Sequence, residues 1–211
     1  MELYNFYKGF AQSVEFLFVV PLCFGLWKWN TLEKGMQWIV VLLFCELLIN
    51  IISFYYNSVL HQNTLFLSYY YSFCWLVTLL GFFYLISGRK GLLSGVLIAG
   101  LLSLGYEYYL FGGNGGMNYY SGLMINFLIF LLSCSYFFNS LNNQHTSTSV
   151  VLILLALVIQ FFTRTVDIFL KKYLLDSPYY TILWYYETII YYYVMLLSLV
   201  IYSVAFYSLK K

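Results

Sequence analysis

Apolar runs broken by short polar or glycine-bearing stretches organise the whole chain. Runs such as "EFLFVVPLCFGLW" (15–27), "WIVVLLFCELLINII" (38–52) and "VVLILLALVI" (150–159) show neither strand alternation nor a clean amphipathic stripe. They are apolar on nearly every face, which is the pattern of helices surrounded by lipid. Crossing a hydrocarbon core takes about 20 helical residues. Seven segments meet that length, at 5–29, 37–60, 63–87, 91–111, 117–141, 150–170 and 179–209. The breaks between them have physical causes. "GRKG" (88–91) joins charge to glycine, and "GGNGG" (112–116) loses too much backbone freedom in a helix. "NNQHTSTS" (142–149) is polar, and "DSP" (176–178) ends in a proline suited to a helix start. "HQN" (61–63) separates two segments that, if merged, would exceed any bilayer. The expected fold is all-α: a single polytopic membrane domain over residues 1–211 with seven transmembrane helices. Segments one to three resemble five to seven in length and spacing. Aligning Tyr69–Tyr71 with Tyr185–Glu187 also brings Glu46–Asn50 close to Arg164–Asp167, which points to a 3+1+3 arrangement.

Composition agrees. The 211 residues are 63% hydrophobic and 9% charged, and the mean hydropathy is +0.80. A water-soluble domain carries about a quarter charged residues, so the main solvent of this chain is lipid, and the bilayer is its first partner. Net charge is only +2, which says nothing about nucleic acid; with no basic block and no nucleic-acid motif, no nucleic-acid partner is expected. Lys28, Lys34, Arg89, Lys90, Lys210 and Lys211 collect on one side of the seven-helix arrangement; Lys8, Lys171 and Lys172 collect on the other. The positive-inside rule then makes the first of these sides cytoplasmic, with the N-terminus outside and the C-terminus in the cytoplasm. Glu15 interrupts the first apolar run and no small-residue cleavage site follows it, so this run is expected to remain as a helix. Gly91, Gly95, Ala99 and Ser103 recur every fourth residue. Such a stripe lets helices approach closely, either inside the bundle, which is the simpler reading, or between copies in a homo-oligomer.

Polar residues inside the apolar segments carry the candidate chemistry. In "QFFTRTVDIF" (160–169), Arg164 and Asp167 share a helix face that Gln160 and Lys171 extend. Similar stripes are Asn5, Lys8, Gln12 and Glu15; Glu46, Asn50, Ser53, Asn57 and His61; Asn118, Gly122 and Asn126; and Tyr180, Trp184, Glu187, Tyr191 and Ser198. An intramembrane charge is costly and turns toward the bundle interior, where it finds partners. The stripes imply a polar, aromatic-lined cavity opening outward above a drier inner half. Arg164 is expected to pair with Asp167 and to reach one further carboxylate through its planar fork. That pair could serve register alone. Glu46 and Glu187 have no assured cationic partner in the sequence, so a proton, a cation or a cationic ligand is expected to neutralise them. The candidate ligand-binding residues are therefore Glu15, Glu46, Asn50, Asn126, Arg164, Asp167, Trp184, Glu187 and Tyr191.

The chain has 24 tyrosines, including "YYY" at 69–71 and 191–193. An interfacial belt explains many of them. Tyr191–Tyr193 lie closer to the midplane, where their rings suit an organic cation or an aromatic ligand. Other chemistries lack their residues. His61 and His145 map to opposite membrane faces, which argues against a zinc site. No "GxSxG" or Ser–His arrangement supplies a serine nucleophile. The last segment lacks the lysine a retinal Schiff base requires. Cys23, Cys45, Cys74 and Cys134 fall within apolar runs without metal-type spacing. No catalytic residue, metal ligand or cofactor is assigned.

The short loops, the "NTLFLSYYY" entry to the third segment (63–71) and the aromatic last segment resemble an uncharacterised family of small bacterial seven-helix integral membrane proteins. The resemblance spans the chain, carries no catalytic motif, and implies a sensory or accessory membrane role. The reading taken forward is a sensor-like ligand-binding module working with a cytoplasmic or membrane signalling partner. A small transporter using the same cavity is the alternative, and an intramembrane enzyme the third.

Overall fold

A computed structural model describes residues 2–87, 90–111, 118–143, 146–174 and 180–208, with the side chains of 2–8, 87, 172–174 and 180–187 outside the description. Among the described residues there is no strand. The helices are α1 (Glu2–Phe16), α2 (Val19–Trp27), α3 (Lys34–Ser58), α4 (Leu67–Ser87), α5 (Lys90–Phe111), α6 (Tyr119–Asn142), α7 (Thr148–Leu174) and α8 (Tyr180–Tyr207). They supply seven stretches long and apolar enough to cross a membrane, the first built from α1 and α2 together. The protein is an all-α, seven-span bundle.

The first span is not the continuous helix that its hydropathy suggests. Pro21 has no N–H to offer the Leu17 carbonyl four residues back, and its ring crowds that carbonyl. The Val20 N–H takes the Leu17 carbonyl instead at 3.0 Å, and the helix resumes with Leu22 N–H on the Phe18 carbonyl at 3.2 Å. A short 3-10 turn at Trp29–Thr31 then leads to α3. The Gln37 amide ties that turn down by donating to the Trp29 carbonyl at 3.2 Å. Between α3 and α4 the chain reverses through His61, the one non-glycine residue with positive φ (52°) among those described. Asn63 steadies the return by accepting the Leu65 N–H at 2.9 Å, a local side-chain turn typical of asparagine.

Packing runs from α2 through α3, α4, α6, α7 and α8 and back to α2, with α1 against α3 and α8. α5 lies outside this ring, against α4 and α6. Glycines allow the closest approaches. A Cβ at Gly100 of α5 would come within 2.7 Å of Leu76, and one at Gly81 of α4 within 2.8 Å of the Trp38 ring. The small-residue stripe on α5 behaves differently from the in-bundle reading. A Cβ at Gly91 or Gly95 would meet nothing within 4 Å, and Ala99 is exposed. Gly100, one residue round the helix, does the internal packing.

The two ends of the bundle have different interiors. Toward the end that holds α2 and the start of α3, the core is apolar: Phe18, Met36, Ile39, Leu43, Leu76, Leu79, Phe82, Phe83, Leu154, Leu157 and Phe206 are buried together. Phe83 stacks on Tyr136 with centroids 5.1 Å apart. Toward the opposite end, α1, α3, α4, α7 and α8 enclose polar groups.

Candidate ligand-binding site

A cavity of about 340 Å³ opens at this polar end, within the size range of small-molecule sites, roughly 300–1,000 Å³. α1 contributes Glu15; α3 contributes Glu46, Asn50 and Ser53; α4 contributes Ser68, Tyr71, Ser72 and Trp75. α7 adds Arg164, Asp167 and Lys171, and α8 adds Tyr191, Tyr192 and Met195. Thr64 and Leu65, from the α3–α4 connection, and Asn118, just before α6, also line it, with Leu67 of α4 and Ile168 of α7.

At its base Arg164 and Glu46 form an ion pair, with Nη2 3.1 Å from Oε1. Both residues are buried, at 6% and 1% exposure. Oε1 of Glu46 also accepts from the Trp75 indole N–H at 2.6 Å and from the Gln160 amide at 3.5 Å. The guanidinium carbon lies 4.0 Å from the centre of a Trp75 ring, so one tryptophan holds both partners, through its N–H and through its π face. Below, Tyr202 donates to Gln160 Oε1 at 2.8 Å. Higher on the wall, Tyr192 donates to Glu15 Oε1 at 2.7 Å. Tyr71 donates to Asn50 Oδ1, and the Asn50 amide donates to the Glu15 carbonyl at 3.0 Å. Lys171 Nζ meets Asp167 Oδ2 at 2.9 Å, one helical turn on.

This geometry corrects the pairing expected from sequence. Arg164 pairs across the bundle with Glu46 and not along its helix with Asp167, whose partner is Lys171. The reason lies in position. Asp167 sits one turn nearer the cavity mouth, within reach of a flexible lysine, whereas Glu46 faces Arg164 at the dry base and needs a cation there. Glu46 thus has the cationic partner that its own helix does not supply.

Glu15, Glu46, Asn50, Arg164, Asp167 and Tyr191 of the expected set line one cavity. Asn126 does not. It is fully buried (0% exposed), and its amide folds back on the Gly122 carbonyl at 2.7 Å. The side chains of Trp184 and Glu187 lie outside the described residues. Sequence reasoning missed Tyr71 and Trp75, and singled out Tyr192 only within Tyr191–Tyr193, not as a site residue. A signal existed for the first two, since 68, 71, 72 and 75 fall on one helical face and mix Ser with large aromatics. Glu107, outside the cavity lining, is buried at 5% exposure. It accepts the Tyr120 N–H at 3.0 Å, the Ser121 N–H at 2.7 Å and the Ser121 hydroxyl. The carboxylate caps the N-terminus of α6, where free N–H groups and the helix dipole favour an anion.

Among the described residues, no group of three or more His, Cys, Asp and Glu side chains could hold a metal ion, and the four cysteines are free. Comparison with family models, curated proteins and solved structures finds no match to this chain.

Proposed function

We propose that the cavity binds a small molecule bearing a cationic group, and that the protein is a sensor-like binding module. One observation carries this reading: three carboxylates, Glu15, Glu46 and Asp167, share the described lining with two cations, Arg164 and Lys171, among four aromatic side chains. Glu46 and Asp167 are matched by those cations, which leaves Glu15, held by the Tyr192 hydroxyl, as the excess anion. An ammonium group beside Glu15 balances that charge, and the faces of Tyr71, Trp75, Tyr191 and Tyr192 suit its substituents. Sensing is favoured over transport because the polar chain stops at Tyr202. Beyond it lie buried Phe18, Phe82, Phe83 and Phe206, and no polar route continues among the described residues.

In this reading the chain sits in the bacterial cytoplasmic membrane with the N-terminus and cavity mouth outside and the C-terminus in the cytoplasm, as the Lys and Arg distribution favours. Its loops are too short to act as an effector, so a partner protein carries the signal onward. Phenethylamine serves as a probe. It should bind the protein in detergent, and Glu15→Gln should weaken binding by about tenfold, equivalent to roughly 1.4 kcal/mol. Proteoliposomes should take up no more of it than protein-free vesicles. Saturable uptake would replace the sensor with a transporter, and unchanged affinity in Glu15→Gln would remove the ammonium site. Reporter fusions at both termini test the orientation.

A further inference from the structure

The cavity settles its own cations in one way, twice. Arg164 pairs with Glu46 at 3.1 Å and lies 4.0 Å from the centre of a Trp75 ring. Lys171 pairs with Asp167 at 2.9 Å and lies 5.9 Å from the centre of the Tyr191 ring. Each unit is a carboxylate, a cation and an aromatic face, the ring adding its own attraction to the ion pair. All six side chains line the cavity. Glu15 and Tyr192 form the outer parts of a third such unit. They line the same cavity and are joined at 2.7 Å. Among the described residues no cation pairs with Glu15 or lies over the Tyr192 ring.

The third unit also shows how many hydrogen-bond donors it can take. The Tyr192 hydroxyl occupies Glu15 Oε1. Oε2 has no hydrogen-bond partner among the described residues and, unlike the enclosed Glu46 Oε2, keeps accessible surface. Glu15 is only half-buried where it lines the cavity. The neighbouring Asn50 Oδ1 is already taken by the Tyr71 hydroxyl. An incoming cation therefore meets one open carboxylate oxygen beside the rings of Tyr71 and Tyr192. A primary ammonium brings three N–H donors, more than one oxygen can satisfy. A quaternary ammonium brings none and leaves the oxygen without a donor. We infer that the cationic group of the ligand is a tertiary ammonium, whose single N–H donates to Glu15 Oε2 while its alkyl substituents lie against Tyr71 and Tyr192. The inference rests on the cation-binding reading above and adds the class of amine.

The test uses the full chain in lipid nanodiscs and calorimetry with phenethylamine and its N-methyl, N,N-dimethyl and N,N,N-trimethyl derivatives, in neutral buffer, where all four are cations. Affinity should peak at the N,N-dimethyl compound, about tenfold tighter than either phenethylamine or the trimethyl compound, the scale of one hydrogen bond to a charged group. Easier desolvation and ring contact alone would make affinity climb steadily to the trimethyl compound, so the maximum is the signature of the N–H. Tyr192→Phe keeps the ring and frees Oε1, and should close most of the gap between phenethylamine and the dimethyl compound. A maximum at any other member of the series, or four equal affinities, would overturn the inference and leave the cation reading standing. An unchanged gap in Tyr192→Phe would do the same. Binding of none of the four would overturn both. If Tyr192→Phe does not fold, the order of affinities in the parent protein decides the matter.

Discussion

The two halves of the bundle solve the same problem by opposite means. In the half around Phe18, Leu79, Phe82 and Phe83, the helices meet through apolar side chains and through glycines that let neighbours in. Lipid is as apolar as these side chains, so their attraction comes from tight packing alone. In the half around Glu46 and Arg164, the helices meet through hydrogen bonds and one buried ion pair, and the packing leaves a cavity. A buried pair is a poor source of stability compared with apolar packing. The lesson is that the polar half accepts weaker cohesion in exchange for an open, polar interior.

The largest expected effect comes from breaking the pair on one side. Arg164→Leu leaves the buried Glu46 carboxyl without its cation at the cavity base, and should lower stability by about 3–5 kcal/mol. Adding Glu46→Leu should recover part of the loss, whereas adding Asp167→Leu should not. Unfolding of the three variants in mixed micelles measures this, and equal recovery by the two double variants would refute the assigned partner. Next comes the dry half, where Leu79→Ala should cost about 2–4 kcal/mol through lost contacts. Amine binding should be unchanged in that variant, and a parallel loss of affinity would dissolve the distinction between the halves. Glu107→Gln removes the anion at the start of α6 and should cost about 1 kcal/mol, read as faster hydrogen exchange at Tyr120 and Ser121. The smallest effect belongs to Lys171→Met. Its partner is one turn away on the same helix and the lysine is partly exposed, so stability should change by about 0.5 kcal/mol or less.

The fold was legible because hydropathy alone decides it: each apolar run had to be a helix, since lipid offers no partners to an open backbone. The break at 17–18 was less visible, because Pro21 costs no hydropathy. The cavity was legible through its stripes. Glu46, Asn50, Arg164 and Asp167 are each conspicuous against apolar neighbours, so their convergence could be argued helix by helix. Their pairing could not. A stripe gives the face of one helix and says nothing of the rotation and depth of the next, and those choose Glu46 over Asp167 for Arg164. Trp75 was hidden for another reason. An aromatic residue in an aromatic-rich segment carries no contrast, and its role appears only when its ring and N–H are both seen in use. Asn126 shows the converse, being conspicuous in sequence yet spent on its own helix.

The interruption before Pro21 turns one membrane crossing into two levers on a common pin. The lever toward the N-terminus carries Glu15 into the cavity wall, and the one beyond the pin is clamped in the apolar core by Leu22 and by Gly25 pressed against Val40. At the joint the Leu17 carbonyl is held by a tighter, three-residue loop to Val20, so the backbone stays satisfied in lipid without a rigid four-residue ladder through that point. A force applied at Glu15 would therefore bear on a joint held by a three-residue loop instead of the four-residue ladder. In mechanical terms the joint divides the span into an arm that ends at a cavity carboxylate and a part seated in the frame.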